Sequence, residues 1–133
     1  MGCCGSYDED KGITSTSTMK ELIKAIDEKI ELYKVEIGEI RDYLDGKRAN
    51  VTLIDVDGVA PGLLEKRIIS LKNLIQANEF YMKSLESHPN LRLQDAKEFV
   101  LRLQRFYQQT YNDPKQVDEE IKLFQDFINQ NHS

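Results

Sequence analysis

Gly2, Cys3, Cys4 and Ser6 are the residues of this chain whose types and spacing are arranged for chemistry, and that chemistry is acylation. In Met1-Gly2-Cys3-Cys4-Gly5-Ser6 a glycine follows the initiator methionine and a serine lies four positions further on. That is the pattern of N-myristoylation. Removal of Met1 exposes the α-amine of Gly2, which takes a fatty acyl group as an amide. Cys3 and Cys4 are the only 2 cysteines in the 133 residues. A thiol beside an acylated terminus is held at the membrane surface, where palmitoylation makes a thioester. The expected modifications are N-myristoyl on Gly2 and S-palmitoyl on Cys3, Cys4 or both.

Two anchors are expected because one is weak. A single myristoyl chain binds a bilayer reversibly, with a constant on the order of 10⁴ M⁻¹, and stable residence takes a second acyl chain or a basic patch. Asp8, Glu9 and Asp10 follow, with only Lys11 opposing them. Anionic cytoplasmic lipids attract basic segments, so this acidic one does not supply the second signal. The cysteines do. Read as metal ligands, two vicinal thiols fall short of the four a closed zinc site requires, and adjacent cysteines are poorly placed to bridge one another. The opening resembles that of dually acylated membrane-anchoring proteins, a likeness confined to these first residues. It implies a lipid-anchored protein on the cytoplasmic face of a membrane, plasma membrane or endomembrane.

Other chemistries find little support. The net charge is −5 with no long basic block, which argues against nucleic acid as a partner. No apolar run approaches a membrane-spanning length, and the terminus lacks the basic and apolar regions of a secretory signal. With so few cysteines there is no disulfide framework, in keeping with a reducing compartment. Asp55-Val56-Asp57-Gly58 has the look of a calcium loop, but aligning Gly58 to the loop's glycine places Leu53 and Leu64 at two essential ligand positions, so a turn is expected. The Asn50-Val51-Thr52 sequon is read as chance. His88 and His132 have no nucleophile signature nearby. No catalytic, cofactor-binding or metal-ligating residue is expected, and the chain is not read as an enzyme.

The elements that would carry such an anchor are helical. Residues 1–17 read as an acylated flexible tether: polar, glycine-bearing, with Thr14-Ser15-Thr16-Ser17-Thr18 lacking apolar periodicity. A helical bundle domain is expected over 18–133. Thr18-x-x-Glu21 is a capping box. Met19, Ile23, Ile26, Ile30, Tyr33, Ile37, Ile40 and Leu44 then recur at spacings of four and three, a heptad seam ending at Gly46, which suits a left-handed cap. Asp27, Glu28 and Glu31 fall on its polar face. Pro61 opens a second helix whose Leu64, Ile68, Leu71, Ile75, Asn78, Met82 and Leu85 repeat the spacing. Asn78, the one polar seam residue, either fixes register or reaches water from the margin.

The fold expected is all-α: an antiparallel four-helix arrangement built on a long coiled-coil-like hairpin, about 18–46 and 61–87, with two shorter helices at about 91–111 and 114–130. His88-Pro89 and Asp113-Pro114 mark the breaks. Asp113 and Gln116 offer a second capping box. The third helix carries Leu93, Ala96, Val100, Leu103 and Tyr107 as its stripe, widened by Phe99, Phe106 and Tyr111. The fourth carries Val117, Ile121, Phe124 and Ile128, with Leu123 and Phe127 beside them. The short third and fourth helices leave one end of the hairpin to be covered by the apolar 47–60 loop, by a second copy, or by a partner. Basic Arg92, Lys97, Arg102 and Arg105 face an acidic fourth helix, either as charge complementarity between neighbours or as a surface for anionic lipid or an acidic partner. The functional expectation is a membrane-anchored adaptor or scaffold with a protein partner. The alternative is a self-assembling hairpin, a homo-oligomer that coats or remodels a membrane.

Overall fold

The computed structural model describes residues 13–109 and 111–130. Four helices organise them: α1 Met19–Leu44, α2 Pro61–Ser87, α3 Leu93–Gln104 and α4 Pro114–Gln130, with a 3₁₀ turn over Arg105–Gln108 closing α3. No strand occurs among the described residues. The hairpin α1–α2 is the most extensive pairing, as the two matched seams require.

Local signals set the ends of α1. Thr18 Oγ1 accepts from the Glu21 amide at 3.1 Å. Glu21 reaches one residue further back than a simple capping box, accepting from the Ser17 amide at 2.9 Å and the Ser17 hydroxyl at 2.7 Å. These bonds hold the Glu21 carboxyl below the usual carboxylate range, the Ser17 hydroxyl first among them. At the other end Gly46 takes φ +80°. The Lys47 amide bonds to the Asp42 carbonyl at 2.8 Å and the Gly46 amide to that of Tyr43 at 3.1 Å, a complete Schellman motif.

Cross-helix contacts fix the topology. Tyr33 pairs with Gln104 and Glu36 with Tyr107, so α3 runs parallel to α1. Arg67 meets Glu36 and Tyr107, and Asn78 meets Gln104, so α2 opposes both. Ser70 contacts Asn112 and Tyr81 contacts Glu120, so α4 runs with α2. The result is up-down-up-down. Phe124 of α4 is fully buried and stacks on Tyr81 at 4.0 Å, while Phe99 packs against Phe127 at 4.9 Å. The aromatic residues expected on the third and fourth helices are therefore mostly core; Tyr111, which lies in the connection between α3 and α4 and is 49% exposed, is the exception.

Two expectations need correction. The first concerns the tether. Residues 1–12 lie outside the described set, but 13–17 are packed on the bundle. Ile13 is fully buried and Thr16 nearly so. Lys97 Nζ donates to the carbonyls of Thr14 at 3.2 Å and Thr16 at 3.0 Å, and Thr16 Oγ1 donates to the Ile13 carbonyl at 2.9 Å. One apolar side chain and one lysine are enough to dock a strap of polar composition. The second concerns the third helix, which stops at Gln104 instead of running to 111. Arg67 takes the carbonyls of Tyr107 and Gln109, and Ser70 takes the Asn112 amide. Of these, the Tyr107 carbonyl is one that a helix running to 111 would have paired with the Tyr111 amide. Among the charges between the seam positions, Lys29, Glu36 and Arg67 are buried. Asp27, Glu28 and Glu31 are exposed, as expected.

The 47–60 loop folds back over the end of α1. Val51 and Val56 are buried, and Glu39 binds the loop through the Thr52 amide at 2.8 Å and hydroxyl at 3.2 Å. Asp55 Oδ1 accepts from the Asp57 amide at 3.0 Å and Gly58 takes φ +76°, making the expected turn.

Candidate functional site

The acylation residues Gly2, Cys3 and Cys4 lie outside the described residues. Within them, the chemistry-bearing side chains converge at one place: the end of the bundle where α1, α2 and the α3–α4 connection meet the 47–60 loop.

At its centre is an ion pair. Glu36 has no exposed surface and Arg67 is 4% exposed. Arg67 Nε donates to Glu36 Oε2 at 2.7 Å, and Tyr107 Oη donates to Glu36 Oε1 at 2.5 Å. Arg67 Nη1 donates to the Tyr107 carbonyl at 3.0 Å and to the Gln109 carbonyl at 2.6 Å. The guanidinium lies over the Tyr107 ring at 4.5 Å, and that ring stacks on Tyr33 at 4.9 Å. A neutral chain continues from there. Tyr33 Oη donates to Gln104 Oε1, Gln104 Nε2 donates to Asn78 Oδ1 at 2.7 Å, and Asn78 Nδ2 donates to the Leu74 carbonyl at 2.7 Å. Asn78 is thus a buried member of a network spanning three helices, not a residue at the margin.

The sequence positions explain how charges come to lie inside. Leu22, Lys29 and Glu36 are seven residues apart on α1, and Arg67, Leu74 and Tyr81 are seven apart on α2. Both rows flank their seams. In a two-helix coil such rows lie at the rim, but here α3 covers them and they become interior. A buried charge is tolerated when its partner and remaining hydrogen-bonding groups are satisfied. Both oxygens of Glu36 meet that condition.

Beside the ion pair a cleft of about 180 Å³ opens to solvent. Leu53, Ile54, Val59 and Leu64 form its apolar wall, Arg67 and Tyr107 its floor, and Asp55 and Gln108 its polar rim. Among the described residues the Arg67 hydrogen bonds come from Nε and Nη1, and Arg67 is one of the residues lining this opening.

The remaining candidate cations are largely engaged within the fold. Arg102 donates to Glu120 Oε1 from Nη2 at 2.9 Å and from Nε at 3.2 Å, an α3–α4 charge complement. Lys97 holds the strap, and Arg92 pairs with Asp95 at 3.6 Å. His88 Nδ1 lies 2.8 Å from the Ser84 carbonyl, and His132 is outside the described residues. Among the described residues no group of three His, Cys, Asp or Glu side chains is placed to hold a metal ion, and no helix is long and apolar enough to cross a membrane.

Comparison of the chain with protein-family models, with curated proteins and with solved structures finds no match to any of them.

Proposed function

We propose that this protein is a lipid-anchored peripheral membrane adaptor: N-myristoylated on Gly2, S-palmitoylated on Cys3, Cys4 or both, and resident on the cytoplasmic face of a membrane. The observation that carries the reading is the run Met1-Gly2-Cys3-Cys4-Gly5-Ser6 followed by Asp8-Glu9-Asp10. The first part offers one amide-linked chain, and the second rules out a polybasic supplement. Two thiols beside the amide meet the requirement for two anchors. The helical body supports an adaptor more than a coat. The 47–60 loop already covers the end of the hairpin that a second copy would otherwise have covered. Of the basic residues of the third helix, Arg102 and Lys97 are engaged within the fold, while Arg105 is exposed.

Metabolic labelling with clickable myristate and palmitate analogues tests the anchor. Both labels are expected on the wild-type chain. Hydroxylamine should strip the palmitate analogue from its thioester and spare the myristate analogue in its amide. Gly2→Ala should abolish the myristate label. Cys3→Ser with Cys4→Ser should retain it while the protein moves from the membrane to the soluble fraction. Equal myristate labelling of Gly2→Ala, or no label on the wild type, overturns the reading.

A further inference from the structure

The cleft at the far end of the bundle from the strap carries an inference about what the adaptor would hold. We propose that it is a docking pocket for a protein partner's exposed segment: one leucine-sized apolar side chain against Leu53, Ile54 and Leu64, with the adjoining backbone carbonyl accepting from Arg67 Nη2. This rests on the adaptor reading and specifies its contact point.

Size and charge together select this occupant. An opening of about 180 Å³ with aliphatic walls suits a single branched side chain and is too small for a cofactor-sized ligand. Arg67 is nearly fully buried and lines the cleft beside the apolar wall, and among the described residues its Nη2 makes no hydrogen bond, so an acceptor beside it is favoured. The acceptor should not be a carboxylate or phosphate. Arg67 is already neutralised by Glu36 at 2.7 Å, and Asp55 at the rim adds a further negative charge. A neutral carbonyl satisfies Arg67 without opposing Asp55. The peptide group's N–H, or a cationic neighbour in the partner, complements Asp55 and Gln108. A peptide unit bearing an aliphatic side chain has all of these features.

The probe is N-acetyl-leucine-methylamide, titrated into the ¹⁵N-labelled full chain without acylation, with N-acetyl-leucine as the anionic analogue and leucinamide as the cationic one. Shifts are expected at the amides of residues 53–59, 64, 67 and 107–109, with a dissociation constant on the order of a millimolar for a fragment of this size. The carboxylate should bind about threefold or more weaker than the methylamide. Asp55→Asn should shrink that difference, because the charge opposing the carboxylate is gone. Leu53→Trp, in the loop, and Gln108→Trp, at the exposed rim, each fill the opening from a different side. Either one, with a dispersed spectrum retained, should abolish the shifts. Three outcomes overturn the proposal: no localised shifts at tens of millimolar methylamide, shifts that survive both tryptophan variants, or a carboxylate that binds tighter than the methylamide. The assay uses unacylated protein, so its failure is distinct from failure of the labelling experiment above.

Discussion

Tyr107→Phe removes one hydroxyl from the buried network and little else. The ring keeps its stack on Tyr33 at 4.9 Å and its position under Arg67 at 4.5 Å. The lost contact is the 2.5 Å bond to Glu36 Oε1, after which a fully buried carboxylate oxygen has no donor. A hydrogen bond to a charged group contributes roughly 1.5–3 kcal/mol, and an unsatisfied buried acceptor costs at least as much. A domain of this size has roughly 5–15 kcal/mol of stability in all. The variant should therefore unfold about 6–12 °C lower, taking about 4 °C per kcal/mol for a chain between the small and large size classes. Tyr33→Phe is the control. It too loses a buried hydroxyl, but one bound to the neutral Gln104 amide, where a bond is worth about 0.5–1.5 kcal/mol.

Urea unfolding followed by far-UV circular dichroism measures both, provided the slopes agree with wild type so that midpoints report stability alone. The cycle with Glu36→Gln is the stricter test. Glu36→Gln alone leaves Arg67 buried beside a neutral partner, and breaking such a pair costs about 3–5 kcal/mol. Once the carboxylate is gone, the Tyr107 hydroxyl should matter much less, so the double variant should cost less than the sum of the singles by about 1 kcal/mol or more. Additive effects, or a Tyr107→Phe cost below that of Tyr33→Phe, would show that Glu36 is not the charged centre of the network.

Two further predictions concern pH. Burial, reinforced by the charge of Glu120 and opposed by Arg102, pushes the Tyr81 hydroxyl above the usual tyrosine range. The folded state therefore holds this proton where the unfolded chain releases it, and stability falls as pH rises past about 10, by up to about 1.4 kcal/mol per unit. Tyr81→Phe should flatten that alkaline decline in urea midpoints measured from pH 8 to 11. An unchanged slope would place the loss on other groups. Glu21 titrates in the opposite sense: its lowered value means its contribution is present above the ordinary carboxylate range and is lost as pH falls through the folded value. The Ser17 amide shift in NMR should follow that titration in wild type and be flat in Glu21→Gln.

What the sequence revealed about this fold was what local chemistry decides. Thr18, Gly46, Pro61 and Pro114 act through their own backbone or their neighbours within one turn, so the helix ends they mark lie within a residue or two of expectation. The seams were legible because 3.5-residue periodicity shows within a single strand of text. The end of α3 was not, since the Tyr107 and Gln109 carbonyls beyond it are taken by Arg67, some 40 residues upstream, a partner no local pattern reveals. Glu36 and Arg67 were missed for a related reason. A charge flanking a seam is solvated in a hairpin and buried in a bundle, and only the placement of α3 distinguishes these. Ile13 shows the converse, since a single apolar residue in a polar run gives no period to detect. Leu123 was placed beside the stripe of the fourth helix and is 47% exposed, because α4 buries a narrower face than its composition suggests.

The docked strap changes what an anchor at Gly2 would do. With residues 13–17 held on the bundle by Ile13 and Lys97, the chain available between anchor and body runs only from Gly2 to Ile13, and covalent geometry limits that span to about 40 Å. A free tether to Thr18 would add roughly another 18 Å. The strap also fixes which end of the bundle the anchor leaves from. It emerges beside the start of α1, whereas the Glu36–Arg67–Tyr107 centre and its cleft lie about 25 Å further along that helix at 1.5 Å per residue. On the acylated reading, a span of up to about 40 Å exceeds this 25 Å, so covalent geometry allows either end of the bundle to approach the bilayer. The buried ion pair would serve the cleft end directly. By tying α1, α2 and the α3–α4 connection together beneath the cleft, it holds the floor of the docking pocket rigid, so that little ordering remains to oppose binding.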